Sequence, residues 1–427
     1  MTNSKVSRTY ASRIAWTSWG ILAFCFFMAF IHRTSIGTVN DEISKEFDNL
    51  SRTAFGVMSS MYFYAYMIMQ IPSGLLADNW GPRKTATIGV LLGGAATFLF
   101  GFAQNPTMLF IGRFFIGAGM ATVFVCLLKI QSQWFPSRMF ATLSGFSIFI
   151  GNLGGAAGQY PFALLTLYVG WHNSYFTIAA LTIACGILCF FMVKDKPQDV
   201  GIEPINSHIS THHEELSLLE GIRMVFREKR IYGAAAYYLF NQASLLSFVG
   251  TWLVPWLREV HKMSSTTAAN ISTFAVVGTM AGSVLGGTIS DKLKRRKIVI
   301  IIGSIIYSLT WGFMAILKTE DYFIIGSLLF LLGFSSGVFP LAMAITKEVS
   351  PISITGTAIS VLNTIGFFGI ALGTSLLGFT ADLGENLSQA ARFNNVLLTC
   401  FIMSIACLVA SFFCYETNAQ NDASKKI

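Results

Sequence analysis

Runs of about 20 mostly apolar residues recur along almost the whole chain, and they constrain its fold more than any other feature. Each is long enough to cross the hydrocarbon core of a bilayer as a helix. Only 12% of the residues are charged, about half the share found in a soluble domain. The sequence therefore predicts an all-α polytopic membrane protein with twelve transmembrane helices, at about 14–39, 53–77, 85–104, 107–130, 139–165, 173–194, 231–257, 267–290, 298–317, 322–346, 353–381 and 393–415.

The positions of the cations predict the orientation of these helices. An even number of spans places both termini on one side of the membrane. With the N-terminus inside, most lysines and arginines between spans fall on the inner side, as the positive-inside rule requires. The first span follows Lys5, Arg8 and Arg13 without a small-residue cleavage site, so it reads as a helix and not as a signal peptide. We expect a multi-pass protein of the inner (plasma) membrane with cytoplasmic termini and the lipid bilayer around it.

Three of the broader function classes are not favoured. The net charge of +8 comes from short cationic gaps between apolar runs, which does not indicate nucleic-acid binding. Gly333-Phe-Ser335-Ser-Gly337 matches the G-x-S-x-G hydrolase motif, but it lies inside an apolar span and lacks the strand–turn–helix setting, so we do not expect an enzyme. His208, His212 and His213 have no cysteine or regularly spaced carboxylate to complete a ligand set, so neither a metal nor a cofactor is expected.

The longest polar stretch divides the chain into two parts. It predicts an N-terminal six-helix bundle at 1–193, a cytoplasmic linker at 194–230, and a C-terminal six-helix bundle with a short tail at 231–427. Within the linker, the apolar residues of Glu214 to Phe226 recur at helical spacing. This pattern predicts an amphipathic helix along the inner face.

A short loop after the second span is repeated in the second half. In the loop GLLADNWGPRK, four residues recur 213 positions later, whereas Gly81 is replaced by Lys294. The four pairs are Gly74 with Gly287, Asp78 with Asp291, Arg83 with Arg296, and Lys84 with Lys297. Two repeated membrane halves, with a substrate site expected at their interface, are the signature of secondary transporters.

These features together resemble the major facilitator superfamily. The G-x-x-x-D-x-x-G-x-R-K loop is one of its motifs, and Arg113-Phe-Phe-Ile-Gly117-Ala-Gly119 resembles its R-x-x-x-G-x-G motif. Phe30-Ile-His-Arg33 and Tyr62-Phe-Tyr-Ala-Tyr66 are similar to bacterial uptake members, including organic-anion symporters and sugar-phosphate permeases. The resemblance implies two pseudo-symmetric six-helix bundles, a monomer, and import by alternating access.

Two arginines inside the spans are the leading ligand candidates. A guanidinium group in hydrocarbon is costly and normally faces a cavity or a partner. Arg33 and Arg113 each lie roughly 9 Å inside the outer end of a helix, and in the fold that the chain resembles these two helices adjoin. The pair is therefore interpreted as a clamp for a carboxylate or phosphate. The alternative is that one or both reach the interface or bond to backbone carbonyls.

Uncharged polar residues within the spans form a second set of candidates. Tyr62, Tyr66 and Gln70 recur every fourth residue and share one helix face. The remaining members are Asn152, Asn241, Gln242 and Asn363. Hydrogen bonding between helices is the alternative role for each. The predicted substrate is a small anionic or zwitterionic solute, with organic acids, amino acids or peptides, sugar phosphates and carboxylate siderophores all fitting. Efflux, uniport and a non-transporting sensor remain alternatives.

Energy coupling is the weakest part of the resemblance. No Asp or Glu lies well inside any predicted span. His32 takes the place of the aspartate found in proton-coupled organic-anion symporters, and Met120 that of a glutamate. Histidine titrates near neutral pH, so His32 is the candidate for carrying a co-transported proton. Uniport and coupling through the charge of the substrate remain alternatives.

The repeated loop is interpreted as an inner-face latch that stabilises the outward-open state. Its candidate residues are Gly74, Asp78, Gly81, Arg83, Lys84, Gly287, Asp291 and Arg296. Gly74 is expected to allow close packing, and Gly81 to form the tight return of the chain. Asp78 is expected either to accept hydrogen bonds at the positive end of a helix or to bond to a cation.

Overall fold

The computed structural model describes residues 2–47, 50–136, 139–201, 218–317, 319, 321–351, 354–383 and 387–417. Sixteen helices are assigned in this part of the chain: α1 (Thr2–Thr34), α2 (Asn40–Glu46), α3 (Arg52–Trp80), α4 (Pro82–Gly101), α5 (Pro106–Trp134), α6 (Phe140–Ala157), α7 (Tyr160–Met192), α8 (Leu218–Arg227), α9 (Tyr232–Ser247), α10 (Leu253–Val260), α11 (Ser265–Leu293), α12 (Arg296–Ile316), α13 (Tyr322–Ser336), α14 (Pro340–Val349), α15 (Thr355–Asp382) and α16 (Gln389–Phe412). Nine helical stretches of the described residues are long and apolar enough to cross a membrane. The predicted all-α membrane architecture is confirmed, and the helices are consistent with twelve spans.

Several predicted spans are interrupted helices. The seventh is built from α9, a π-helical turn at Phe248–Trp252, and α10. The fifth begins as α6 and continues into α7, which bends at Gly170, where φ is +79°. Such a φ is accessible mainly to glycine. The bend separates the two parts of α7, and the sixth span begins after it.

The contacts divide the chain into two compact units. Unit 1 comprises Met1–Ser35 and Met61–His212, and unit 2 comprises Ile36–Ser60 and His213–Ile427. Residues 36–60 therefore belong to unit 2, although they lie within the predicted N-terminal bundle. The predicted boundaries of the bundles and the linker stay a prediction.

Unit 1 is held together by close helix contacts that small residues permit. A Cβ at Gly117 of α5 would lie 2.1 Å from the backbone oxygen of Tyr62 on α3. Any larger residue at 117 would push α3 and α5 apart. This contact seats Tyr62, which is fully buried, against the motif of α5 that carries Arg113.

Unit 2 has its own core, in which the linker helix takes part. Val225 of α8 belongs to a cluster of buried residues with Tyr237, Ile300 and Ile345. Gly221 of α8 lies against Thr357 of α15, where an added Cβ would be 3.3 Å from the Thr357 hydroxyl oxygen. The apolar face of α8 thus packs on unit 2. The first residues of the predicted amphipathic helix, 214–217, and the three linker histidines lie outside the described residues.

Candidate functional site

Arg33 occupies the last turn of α1, just before the chain tightens into a 3-10 helix at Ser35–Val39. Its Cζ lies 4.4 Å from the ring centroid of Phe30 and 4.8 Å from that of Tyr66. Aromatic faces attract a guanidinium group at this distance. The hydroxyls of Tyr62 and Tyr66 lie near the same guanidinium group. Arg33 itself is only half-buried, so the aromatic side chains orient a cation that is still accessible.

The predicted row of polar residues on α3 does meet Arg33. The hydroxyl of Tyr62 donates to the backbone oxygen of Ala29 at 3.1 Å, and the side chain of Gln70 lies near the Tyr66 hydroxyl. Because the three side chains recur every fourth residue, they line one face of α3. We call Arg33, Tyr62, Tyr66 and Gln70 the Arg33 cluster.

Arg113 is fully buried, and it contacts backbone rather than an acid. Its Nη1 donates to the backbone oxygen of His32 at 2.8 Å, and its Cζ lies 5.1 Å from the Tyr62 ring centroid. The last carbonyls of a helix have no intrahelical donors, and a cation there complements the helix dipole. Arg113 therefore caps the end of α1 beside Arg33. Its Nε and Nη2 have no hydrogen-bond partner among the described residues.

His32 is buried, and its hydrogen bond defines its tautomer. Its Nε2 lies 3.1 Å from the Thr182 hydroxyl, which itself donates to the backbone oxygen of Ile178 at 2.7 Å. Since the hydroxyl has one hydrogen to give, it must accept from His32, so Nε2 carries the proton. The His32 Nδ1 has no hydrogen-bond partner in the described part of the chain.

In unit 2 the polar residues of α9 differ in their partners. The Ser336 hydroxyl donates to Asn241 Oδ1 at 3.0 Å, and the hydroxyls of Ser244 and Tyr307 lie 2.7 Å apart. Gln242 is 5% exposed, yet its Oε1 has no partner among the described residues. At about 100° per residue, Gln242 points roughly 100° away from Asn241 and 160° away from Ser244. It therefore occupies a different face of α9.

The remaining two amide candidates lie on α6 of unit 1 and α15 of unit 2. Asn152 of α6 and Asn363 of α15 are both half-buried. No hydrogen bond joins either of them to the Arg33 cluster within the described ranges. Their role in substrate binding stays a prediction.

The inner loop of unit 1 uses two carboxylates in separate positions. Asp78 Oδ1 accepts from Lys129 Nζ at 2.6 Å, so of the two expected roles Asp78 takes that of pairing with a cation. The start of α4 is instead occupied by Asp195, whose Oδ1 accepts from the Arg83 backbone N–H at 2.6 Å. Gly81 has φ +84° and ψ 155°. A Cβ at Gly81 would lie 2.7 Å from the Asp195 carboxylate.

The side chains around this loop show what sequence reasoning missed. Arg83 Nε donates to the Phe190 backbone oxygen at 2.7 Å, and Lys84 is exposed. Asp195 lies 112 residues along the chain from Arg83, so no local sequence pattern pairs the two residues. An added Cβ at Gly74 or Gly287 would meet nothing within 4 Å among the described residues. Close packing at Gly74 is thus not seen among the described residues, and its role in the latch stays a prediction.

The corresponding loop of unit 2 is arranged around Arg296. Its Nε lies 2.8 Å and 2.9 Å from the two carboxylate oxygens of Glu348, and its Nη1 lies 3.2 Å from Asp291 Oδ1. Lys294, in place of Gly81, ends α11 in the left-handed region with φ +55°. The backbone N–H of Lys297 donates to Glu416 Oε1 at 3.1 Å.

Comparison with known proteins gives the family. The family model described as Major Facilitator Superfamily matches residues 22–374 and again 243–426. A probable sulfoacetate transporter, SauU, of Cupriavidus necator is 26% identical over 65% of each chain. A putative tartrate transporter of Agrobacterium vitis is 24% identical over 90% of this chain and 91% of its own. The probable galactarate/D-glucarate transporter GarP of Escherichia coli K12 is 24% identical over 89% and 90%.

The fold agrees with this match. A bacterial homolog of the human lysosomal transporter Spinster, in its inward-facing and unoccupied conformation, superposes with a TM-score of 0.72 at 16% identity, over 95% of this chain and 96% of that one. The family model and the fold both describe membrane transporters and not enzymes. The chain belongs to the major facilitator superfamily.

Proposed function

We propose that this protein is a secondary transporter that imports a small organic anion across the inner membrane by alternating access, with both termini in the cytoplasm. The Arg33 cluster is the observation that carries the proposal. Arg33 lies in a membrane-spanning helix, half-buried, between two aromatic rings that orient it. An arginine inside a membrane-spanning helix normally faces a cavity or a partner, and a guanidinium group binds a carboxylate through two parallel hydrogen bonds.

Arg113 supports the same site through the backbone of α1. Its guanidinium group is fully buried, and it holds the backbone oxygen of His32, the residue next to Arg33. We infer that Arg113 fixes the end of α1 and hence the direction of Arg33. Direct contact between Arg113 and the substrate stays a prediction.

The names of the relatives narrow the substrate class. The relatives are named for transport of sulfoacetate, tartrate and galactarate or D-glucarate. All of these compounds are small organic acids. We therefore propose an organic acid as the substrate, in preference to an amino acid, a peptide, a sugar phosphate or a siderophore.

Gln242 supports recognition of a hydroxyl group on that acid. Its buried Oε1 is an acceptor without a partner in the described part of the chain, and an unpaired buried acceptor is costly. An amide oxygen accepts from a hydroxyl group but not from a carboxylate. Tartrate and the sugar acids carry such hydroxyls, whereas sulfoacetate does not. We infer a hydroxylated organic acid.

Proton symport through His32 is the coupling mode that we propose. With Nε2 protonated toward Thr182, Nδ1 is the atom that would take up a proton. The added charge would lie beside the Arg113 guanidinium group, so an anionic substrate would offset the repulsion between them. In proteoliposomes, His32→Gln should transport without responding to an imposed pH gradient. A variant that still accumulates substrate in response to that gradient would exclude His32 and favour uniport.

Uptake of labelled tartrate into proteoliposomes tests the main proposal. Arg33→Gln should lose nearly all uptake, because it removes the charge and keeps a similar volume. Arg223→Gln is the matched control, since Arg223 is an exposed cation of α8 outside the site. Uptake that survives in Arg33→Gln would exclude Arg33 as the anion ligand, and absence of uptake in the native protein would exclude tartrate.

The hydroxyl proposal has its own test. Succinate has the carbon skeleton and both carboxylates of tartrate but lacks the two hydroxyls. Gln242→Leu should reduce the preference for tartrate over succinate by about tenfold for each hydrogen bond lost. Ser244→Ala on the same helix should keep the preference. An unchanged preference in Gln242→Leu would exclude Gln242 as the hydroxyl acceptor while leaving organic-acid transport intact.

A further inference from the structure

Residues 36–60 belong to a different compact unit from the residues on either side of them in sequence. The chain up to Ser35 and from Met61 to His212 belongs to unit 1, whereas this segment belongs to unit 2. It comprises the 3-10 turn after α1, the short helix α2 and the first residues of α3. We call it the strap; residues 48 and 49 lie outside the described part.

The strap lies closely against the backbone of unit 2. A Cβ at Gly37 would be 3.0 Å from the Thr251 backbone oxygen in the π-helical turn, and one at Gly56 would be 2.8 Å from that of Thr374. The hydroxyls of Ser60 and Ser375 are hydrogen-bonded at 2.9 Å. Glycines at these contacts permit a precise fit that other side chains would prevent.

Ion pairs fasten the strap at the end that is predicted to face outward. Arg52 pairs with Glu259 at the end of α10 and donates to Gln389 Oε1 at 2.7 Å. Arg258, in turn, lies 3.2 Å from Asp41 and 3.4 Å from Glu42 of the strap.

A second set of contacts joins the strap to α15 and α16. Asp382 Oδ2 accepts from both the backbone N–H and the hydroxyl of Thr53 at 2.7 Å. Asp382 Oδ1 lies 3.0 Å from Arg392. The Arg52 and Arg392 guanidinium groups both donate to the backbone oxygen of Ala381, which ties the two sets of ion pairs together.

The charges of this network do not balance. The ion pairs join four carboxylates, Asp41, Glu42, Glu259 and Asp382, to three guanidinium groups, Arg52, Arg258 and Arg392. Among the described residues, these ion pairs therefore leave one negative charge in excess. A surplus charge in a partly buried network opposes docking, and a single proton would neutralise it.

We propose that docking of the strap on the rest of unit 2 takes up one proton at Glu259. The side chain of Glu259 is only 18% exposed, and it faces Arg52 of α3, Asp41 of α2 and Arg392 of α16. Glu259 lies beyond the predicted seventh span, where a proton from the aqueous phase can reach it.

The electrostatics of Glu259 give the sign of the effect. Burial raises the pKa of the Glu259 carboxyl, and the Asp41 charge adds to this, although Arg52 lowers the same pKa. The docked strap therefore binds the proton more tightly than a strap whose Glu259 is solvated. By linkage, docking is favoured as pH falls and is weakened as pH rises through the raised pKa.

Spin labels at positions 45 and 323 test this inference without any substrate. Lys45 of the strap and Phe323 of α13 are both exposed, and the seven native cysteines are buried. Pulsed electron paramagnetic resonance on the purified protein in nanodiscs should show the docked population increasing on acidification, by at most about tenfold in the docked-to-undocked ratio per pH unit. A ratio that is constant, or that falls on acidification, overturns the inference.

Two variants assign the proton to its residue. Glu259→Gln should make the ratio independent of pH, whereas Glu46→Gln, an exposed acid on the same strap, should respond as the native protein does. Arg52→Gln should move the midpoint to higher pH, because it removes the cation that lowers the Glu259 pKa. A Glu259→Gln protein with the native pH response, or an Arg52→Gln midpoint that does not rise, would exclude Glu259.

Discussion

The repeated loops of the two units share a sequence motif, but different residues cap the helix that follows each loop. In unit 1, a carboxylate that follows α7 accepts a backbone N–H at the start of α4. In unit 2, a carboxylate that follows α16 accepts a backbone N–H at the start of α12. In unit 1 this is Asp195 with Arg83, and in unit 2 it is Glu416 with Lys297. The difference lies in burial: Asp195 is half-buried against Gly81, whereas Glu416 is exposed.

The motif arginines differ even more. Arg83 donates to a backbone oxygen and lies over the Phe190 ring, while Arg296 pairs with two carboxylates. The motif aspartates change accordingly, since Asp78 pairs with Lys129 and Asp291 pairs with Arg296. A repeated motif thus preserves the cap on the helix but not the ion pairs around it. Unit 1 depends on the backbone at Gly81, and unit 2 on the charge of Arg296.

Gly81→Ala should have the largest effect on this comparison. The backbone at Gly81 lies in a region almost restricted to glycine, which costs any other residue about 1–3 kcal/mol, and the added Cβ would collide with Asp195. The melting temperature of the purified protein should fall clearly. Lys294→Gly at the equivalent position of unit 2 should be neutral or stabilising, because Lys294 already has a positive φ. Equal melting temperatures for native protein and Gly81→Ala would contradict this account.

Arg296→Gln should have the next largest effect. It leaves the Glu348 side chain, which is 18% exposed, without its cation, at a cost of about 1–2 kcal/mol after allowing for solvent. Arg83→Gln removes no ion pair that the structure describes and should cost less. Urea or thermal unfolding of the two variants side by side measures the difference. If Arg83→Gln proved the more destabilising, the assignment of charge dependence to unit 2 would be wrong.

Asp195→Ala should cost about 1 kcal/mol, the usual value of an N-terminal cap. Glu416→Ala should cost only a few tenths, since an exposed cap is replaced by water. The two variants can be compared by melting temperature at neutral pH. Equal losses would show that burial does not distinguish the two caps.

The smallest expected effect is a pH dependence of the Asp195 cap in unit 1. Burial raises the pKa of Asp195, although the Arg83 N–H lowers it. The folded state therefore binds this proton more tightly than the unfolded state, and ionisation costs stability as pH rises through the raised pKa. Compared with Asp195→Asn, the native protein should lose a little stability over this range. A native protein that gains stability relative to Asp195→Asn as pH rises would reverse the assigned sign.

The sequence predicts well what depends on short-range pattern. Apolar runs and cation placement give the helices, and the four-residue spacing of Tyr62, Tyr66 and Gln70 puts them on one face. These features follow from helix geometry alone.

Contacts between distant residues could not be predicted in the same way. The sequence left open whether Arg113 contacts a substrate, the membrane interface or a backbone carbonyl, and in the structure it contacts the His32 carbonyl near the end of α1. Nothing in the sequence pairs Asp195 with Arg83 across 112 residues or places residues 36–60 in unit 2. Such pairings depend on tertiary packing, and local propensity and periodicity contain no information on it.

The π-helical turn at Phe248–Trp252 has a consequence for how the chain tolerates changes in length. A π-helical turn holds one residue more than the α-helical ladder needs. Deleting a single residue there would restore regular α-helix while leaving α9 and α10 facing their present neighbours. The same deletion within α9 would turn everything after it by about 100° and move Arg258 and Glu259 away from the strap. The π-helical turn of the seventh span is thus a place where the loss of one residue changes the structure only locally.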